Sequence, residues 1–157
     1  MASAGATFPI DITSSDEQHF LIVESRSDAD RADEALQGAT ETLDSAGATY
    51  DVVSVPSVLE IPAAIAMALE AGDYDGFVAL GVVVHNATVS VGYIVPEVTR
   101  ALLELSVVDA LPLGNGLVMV ETEGEARGQT SIAGKNVGGR AAQTVLAMSA
   151  LKAKLNS

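Results

Sequence analysis

The sequence predicts a single three-layer α/β/α domain built on a four-stranded parallel sheet. Four short segments rich in β-branched and apolar residues alternate with segments in which apolar residues recur every three or four positions. One of the short segments, GFVALGVVV, is apolar almost throughout, which is typical of a central strand covered on both faces. Strands that alternate with helices indicate βαβ units and therefore a parallel sheet.

Turn-forming residues mark where the elements end. Gly47 follows the first helical segment, Pro56 stops the second strand, and Pro62 and Gly72 lie at the start and just past the end of the second helix. The predicted strands cover residues 19–25, 49–55, 76–84 and 116–121, and the predicted helices cover residues 28–46, 61–71, a segment that ends near Leu105, and 138–155.

The 157 residues are enough for one domain with a buried core. Residues 1–17 are small, polar and acidic without periodicity, so we expect a flexible N-terminal tail whose Phe8 and Ile10 dock on a neighbour's sheet edge. Residues 18–157 contain no internal repeat or linker, and we expect them to form the single domain.

Composition excludes several classes of function. The net charge of −13 argues against nucleic acid and anionic membranes as partners, since both reward clustered cations. The absence of cysteine excludes disulfides, thiolate nucleophiles and sulfur-ligated metals. With no apolar run of about 18 residues and no signal-peptide pattern at the N-terminus, we expect a soluble cytoplasmic protein.

Ligands of open parallel sheets bind outside the carboxyl ends of the strands. The segments to inspect are therefore residues 25–28, 56–61, 84–92 and 114–139. Three sequence motifs lie in or beside these segments: VPSVLEIPAAIAMAL (residues 55–69), ALGVVVHNAT (79–88) and LPLGNGLVMVET (111–122). The pair Gly138 and Gly139 follows them.

In this order and spacing, these motifs resemble the lumazine synthase family of riboflavin biosynthesis, and the resemblance spans residues 18–154. It implies a flavodoxin-like sheet and the condensation of 5-amino-6-ribitylaminouracil with 3,4-dihydroxy-2-butanone 4-phosphate to 6,7-dimethyl-8-ribityllumazine, without metal or organic cofactor. It also implies homopentamers, some of which assemble into sixty-subunit icosahedral shells, with the active site between adjacent subunits.

The resemblance assigns site positions residue by residue, and several carry altered side chains. Ser90, Gln129 and Val137 stand where the family has its proton-transferring histidine, its phosphate-binding arginine and a lysine. Ser27 and Asn115 stand where it has aromatic residues. The substrate-binding positions are Ser27, Val58, Leu59, Glu60, Val82, Val83, Val84, Ala87, Thr88 and Asn115, of which Ala87 and Thr88 match the pair that contacts the substrate phosphate.

Each position also has an interpretation that needs no ligand. For Ser27 we favour a helix N-cap, with Asp30 three residues on in a capping box. Glu60 either accepts hydrogen bonds from ribityl hydroxyls or stabilises a helix N-terminus, and the two roles are compatible. Val82, Val83 and Val84 are first of all strand residues, so only their peptide groups could recognise a ligand.

The remaining polar candidates favour structural roles. His85 is interpreted as an exposed loop residue rather than a substitute base, and His19 as structural. Arg127 and Lys135 lie two residues from the altered cation positions, and we favour solvated surface charges. The GNG sequence at residues 114–116 is interpreted as a tight turn, and Pro96 must delay or kink the third helix.

Two functions remain. In the first, the chain catalyses the family reaction weakly, because a serine hydroxyl is a poor base near neutral pH and an amide cannot replace a guanidinium on phosphate. In the second, it keeps only the fold and the oligomer, as a silent scaffold or cage subunit, an engineered variant or a binder of another small molecule. A receiver or flavodoxin-type domain is disfavoured, because the third strand ends in Val84, His85 and Asn86 rather than in acids.

Overall fold

The structure, a computed structural model, describes residues 17–85 and 92–157. The predicted tail at residues 1–17 lies, apart from Glu17, outside the described residues. The elements follow in the order β1 (His19–Ser25), α1 (Ala29–Ser45), β2 (Thr49–Val55), a 3₁₀ helix (Val58–Glu60), α2 (Ile61–Ala71), β3 (Gly76–Val84), α3 (Ile94–Val108), β4 (Leu113–Val120), α4 (Glu123–Thr130) and α5 (Val137–Leu155).

The four strands form one sheet in the order β2-β1-β3-β4, and every neighbouring pair is parallel. This confirms the predicted fold class. Consecutive strands β1 and β2 are adjacent, whereas β3 joins the opposite side of β1. The strand order therefore reverses between β1 and β3, which is the place where sheets of this type bind ligands.

Both faces of the sheet are covered by helices. Alternate residues of β1 point to opposite faces, so Phe20 and Ile22 pack with α1 and α5, whereas Leu21 and Val23 pack with α2 and α3. All four side chains are at most 2% exposed. The apolar runs of β1 and β3 thus reflect two cores, one on each side of the same strands.

Close approach of α5 to its neighbours requires glycine at two positions. A Cβ added to Gly138 would lie 1.9 Å from the carbonyl oxygen of Ala35 in α1, and one added to Gly114 would lie 1.9 Å from that of Ala141 in α5. Both obstacles are backbone atoms, which cannot rotate away. Gly138 therefore sets the distance between α1 and α5, and Gly114 the distance between α5 and β4.

Gly114 also corrects a prediction. The GNG sequence is not a tight turn, because residues 114–116 belong to β4, which begins at Leu113 rather than at Gly116. Gly114 pairs with Val78 and Gly116 with Leu80 in the β3–β4 register. The glycines are there for close packing of α5 against an extended strand, and sequence spacing alone does not distinguish that role from a turn.

Other boundaries differ by a few residues. The third helix continues to Val108, beyond the predicted end near Leu105, and it begins at Ile94 so that Pro96 lies in its first turn. The late start expected from Pro96 is confirmed, because a proline in the first turn removes no helical hydrogen bond. Within the described ranges, no helix is both long enough and apolar enough to cross a membrane.

At the amino end of the sheet, His19 joins a network that links three parts of the chain. Its Nδ1 is 2.6 Å from Thr49 Oγ1 and its Nε2 is 3.0 Å from Asp51 Oδ2, both on β2. Tyr74 stacks on the imidazole and donates its hydroxyl to the same Asp51 oxygen at 2.9 Å. This geometry gives His19 the structural role predicted for it.

The network makes the contribution of Asp51 to stability depend on pH. Hydrogen bonds from His19 and then Tyr74 lower the pKa of Asp51 below its usual 3.8, and the hydrogen bond to Asp51 together with burial raises the pKa of Tyr74 above its usual 10.0. The stabilisation by Asp51 is therefore complete above pH 3.8 and is lost as pH falls through its lowered pKa. The stabilisation by Tyr74 is complete below pH 10.0 and is lost as pH rises through its raised pKa.

Replacing Asp51 by asparagine should consequently lower Tm between pH 5 and 9, and the difference from the wild type should shrink towards both extremes of pH. Thermal unfolding followed by circular dichroism from below pH 3.8 to above pH 10.0 measures the effect. Asp73→Asn is the control, because Asp73 acts on Tyr74 only through its charge. Equal Tm losses for both variants would contradict a specific role for Asp51.

Gly138→Ala tests the close contact between α1 and α5. The added methyl group collides with the Ala35 carbonyl, so we expect the free energy of unfolding to fall by about 1–3 kcal/mol, the range typical of overpacking. Gly128→Ala in α4 is the matched control, since an added Cβ there meets nothing within 4 Å. Because alanine favours a helix over glycine by about 1 kcal/mol, the control should be neutral or stabilising in urea unfolding.

Candidate functional site

The loop after β1 places Ser27 in solvent and uses a different residue as the cap of α1. Asp28, not Ser27, is the N-cap: its φ of −124° is extended, and its carboxylate accepts a hydrogen bond from the amide of Arg31 at 3.3 Å. The predicted capping box of Ser27 with Asp30 is therefore wrong. An aspartate in the next position competes effectively for the same role, because Asp and Ser are similarly good caps. Ser27 is left exposed at the carboxyl edge.

Just before this loop, the buried carboxylate of Glu24 lies near the end of β1. Glu24 is 2% exposed, and its Oε1 accepts hydrogen bonds from Arg26 Nη1 at 2.8 Å and from Ser54 Oγ at 3.0 Å. Arg26 also donates through Nη2 to Asp33 on α1. Hydrogen bonds to Glu24 and then to Asp33 raise the pKa of Arg26 above its usual range. These contacts tie β1, β2 and α1 together beneath Ser27.

After β2, the chain enters a short 3₁₀ helix that carries three candidate residues. Ser57 caps it, and the Glu60 carboxylate accepts a hydrogen bond from the Ser57 amide at 2.9 Å, which completes a capping box. Glu60 therefore helps to cap the 3₁₀ helix, whereas at the N-terminus of α2, where its structural role was predicted, its side chain makes no capping hydrogen bond. Its ligand role stays a prediction. Val58 is buried and Leu59 is half exposed, at 53%.

The end of β3 lies beside this 3₁₀ helix. The Val58 side chain packs directly on Gly81, where an added Cβ would lie 2.5 Å from a Val58 methyl group. Val82 is buried, and Val83 and Val84 are partly buried strand residues, as predicted. His85 is also partly buried rather than exposed, and its amide donates to the Val120 carbonyl at 2.7 Å, which prolongs the β3–β4 pairing by one residue.

Strand β4 contributes the candidate position Asn115. Asn115 is exposed on the edge strand β4, opposite Ala79, and five residues before the strand's carboxyl end at Val120. At about 3.3 Å per residue, this places Asn115 roughly 16 Å from that edge of its own chain. Its Oδ1 accepts a hydrogen bond from the Leu117 amide at 2.9 Å.

Gln129 lies on α4, and a buried polar contact fixes that helix against α1. The neighbouring Thr130, fully buried, donates its hydroxyl to Glu34 Oε2 at 2.6 Å. Arg31 Nη1 lies 3.2 Å from the same oxygen. Gln129 itself is partly buried and lies in the last turn of α4.

The remaining candidate residues lie in α4, at the start of α5 or between the two helices. Val137 is the first residue of α5 and is partly buried, next to the N-cap Asn136, whose φ of 47° is left-handed. Arg127 and Lys135 are both exposed, and neither forms an ion pair with another described residue. This agrees with their interpretation as solvated charges.

The structure brings part of the predicted site together. Ser27 and Val82 line one small cavity at the switch point between β1 and β3, and Val58 packs against the same end of β3. Asn115 lies away from this group within one chain. The predicted phosphate contacts Ala87 and Thr88 and the altered base position Ser90 lie outside the described residues. Nowhere in residues 17–85 and 92–157 do three or more His, Cys, Asp or Glu residues cluster closely enough to hold a metal ion.

The sequence analysis missed Glu24 and Arg26. The sequence did contain a signal for Glu24. It lies two residues after Ile22 and four after Phe20, so its side chain belongs to the same buried face of a central strand. A carboxylate at such a position is seldom tolerated without a partner and marks a polar site inside the fold.

Comparison with the sequences of known proteins shows the family of this chain. The sequence profile of the family described as 6,7-dimethyl-8-ribityllumazine synthase matches residues 17–153. The chain belongs to the lumazine synthase family. The match covers all four strands and all five helices, apart from the last two residues of α5.

Relatives within the family are similar over most of their length. A protein of Agrobacterium fabrum named 6,7-dimethyl-8-ribityllumazine synthase is 49% identical over 142 residues, which cover 87% of this chain and 96% of that protein. One of Rhizobium meliloti, named 6,7-dimethyl-8-ribityllumazine synthase 1, is 47% identical over 88% of this chain and 94% of its own length. A protein of the same name from Mesorhizobium japonicum is 44% identical over 88% of each chain.

Proposed function

We propose that this chain binds the lumazine synthase substrates and converts them slowly, as a transferase whose binding framework is kept and whose proton-transfer and phosphate groups are weakened. The observation that carries the proposal is the close packing of the 3₁₀ helix at Val58–Glu60 against the end of β3. The family resemblance assigns both segments to substrate binding.

The framework supports binding through backbone groups. Val58 and Val82 are buried, so their side chains hold the two segments in place. The pairing of β3 with β1 stops at Leu80, so β1 does not use the peptide groups of β3 beyond that residue. Recognition of this kind does not depend on side-chain charge. Holding an amine and a carbonyl compound together also accelerates their condensation without any specialised acid or base.

The chemistry itself needs proton movement and a phosphate leaving group. Forming 6,7-dimethyl-8-ribityllumazine from the two substrates releases two water molecules and inorganic phosphate. A positioned base contributes about 10²–10⁴-fold to steps of this kind. With serine, glutamine and valine at positions 90, 129 and 137, this contribution and the charge-assisted grip on phosphate are missing.

Ser90→His, Gln129→Arg and Val137→Lys, introduced together, should therefore raise kcat/KM by at least about tenfold, because imidazole titrates near neutral pH and guanidinium binds phosphate through paired hydrogen bonds. The rate is measured from lumazine fluorescence after mixing both substrates.

Gln37→Arg, which adds a positive charge on the exposed face of α1, is the control and should leave the rate unchanged. A wild-type rate that the triple substitution does not raise would contradict the proposal. A wild type that neither binds nor converts the substrates would favour the alternative of a silent scaffold or cage subunit.

The proposed site also requires a second copy of the chain, as a homopentamer with the option of a sixty-subunit shell. Two observations support this. Asn115 is exposed roughly 16 Å from the carboxyl edge of its own sheet, so a neighbouring copy has to supply this position. In addition, α3 exposes Leu103, Val107 and Val108 by 61%, 72% and 74%, a clustering of apolar side chains that is unusual for a monomer's surface.

Light scattering coupled to size-exclusion chromatography tests assembly. Five copies of 16.0 kDa give a pentamer of about 80 kDa, and we expect that mass or a multiple of it. Leu103→Glu with Val107→Lys should reduce the mass to that of a monomer, because charged side chains buried in an apolar interface lose their hydration and so destabilise it. Met148→Lys on α5 is the control. A wild type that elutes as a stable 16.0 kDa monomer would refute the pentamer.

A further inference from the structure

One oxygen of the buried Glu24 carboxylate has no partner among the residues that the structure describes. Oε1 is fully used by Arg26 and Ser54, but Oε2 is buried and accepts no hydrogen bond from any residue in 17–85 or 92–157. The hydroxyl of the next residue, Ser25, is likewise buried without a partner in the described chain. Buried oxygens of this kind are destabilising unless a donor reaches them, and a charged one more so.

A small cavity adjoins Glu24. Its volume is about 10 Å³, which is close to the minimum that accommodates one water molecule. Leu80, Ala32 and Ala35 form the apolar part of its wall, on the face of the sheet that α1 covers, and Glu24 lies on that same face. The candidate ligand positions Ser27 and Val82 also line the cavity, so the buried carboxylate and the candidate site share it.

We propose that Glu24 and one water molecule in this cavity form a hydrogen-bond acceptor site that recognises an N–H or O–H donor of a ligand bound beside Ser27. The water donates one hydrogen bond to Glu24 Oε2. The lone pairs of the water oxygen stay free to accept a hydrogen bond from the ligand. The cavity is too small for a ligand ring, so Glu24 acts through the water. This recognition step rests on the proposed function, whereas the water site itself does not.

Glu24→Gln reverses the polarity of this site with little change in shape. Arg26 and Ser54 are both donors, so they hold the amide oxygen and turn the amide nitrogen towards the cavity. The water then accepts from the amide and points its own protons outward. Ser54→Ala is the matched control, because it removes a hydrogen bond from the same carboxylate on the side away from the cavity.

The first measurement is a crystal structure of the wild-type protein at about 1.5 Å. We expect one ordered water about 2.6–3.2 Å from Glu24 Oε2. A cavity without a water there, or Oε2 bonded to a protein donor instead, would overturn the proposal. This measurement uses no ligand and is therefore independent of the proposed function.

The second measurement is the affinity for 6,7-dimethyl-8-ribityllumazine, followed by its fluorescence, together with Tm to verify folding. We expect Glu24→Gln to weaken binding about three- to tenfold, the effect of one hydrogen bond, and Ser54→Ala to leave it unchanged. Equal affinities of the wild type and Glu24→Gln would overturn recognition through Glu24. If the wild type does not bind the lumazine at all, the proposed function fails with the recognition step, and the water site is still decided by the crystal structure.

Discussion

The fold depends on one constraint: β1 and β3 are central parallel strands that must be buried on both faces. Phe20 and Ile22 need α1 and α5, while Leu21 and Val23 need α2 and α3, so neither core can form without the other layer. Close helix packing follows from the same constraint, because α5 covers its share of the sheet only where glycines let its backbone approach α1 and β4.

In the central strands β1 and β3, polar side chains occur only near the two ends of β1, and a network forms at each end. At the amino end, His19, Asp51 and Tyr74 join β1 to β2 in solvent. At the carboxyl end, the buried Glu24 and the partly exposed Arg26 join β1, β2 and α1. The second network is the one that can take part in ligand binding. Burial strengthens its electrostatic interactions, and one of its oxygens lacks a donor among the described residues.

Fold and chemistry place different demands on this chain. The candidate positions Ser27, Asn115, Gln129 and Val137 are exposed or partly buried and belong to neither core. Their side chains can therefore differ in hydrogen bonding and charge without removing much packing. The buried parts of the candidate site, such as Val58 and Val82, have the apolar character that the cores require. The architecture therefore does not depend on the polar side chains at the candidate site.

The layer order, the parallel sheet and most element boundaries were predictable from the sequence alone, because apolar periodicity and turn residues are local signals of burial. The role of Gly114 was not, since its neighbour Ala141 is distant in sequence and only packing reveals the contact. The cap at Asp28 in place of Ser27 was decided by backbone geometry between two equally suitable residues. That Glu24 Oε2 has no donor among the described residues was likewise evident only from the structure, because hydrogen bonding of a buried oxygen depends on every neighbour that folding brings close.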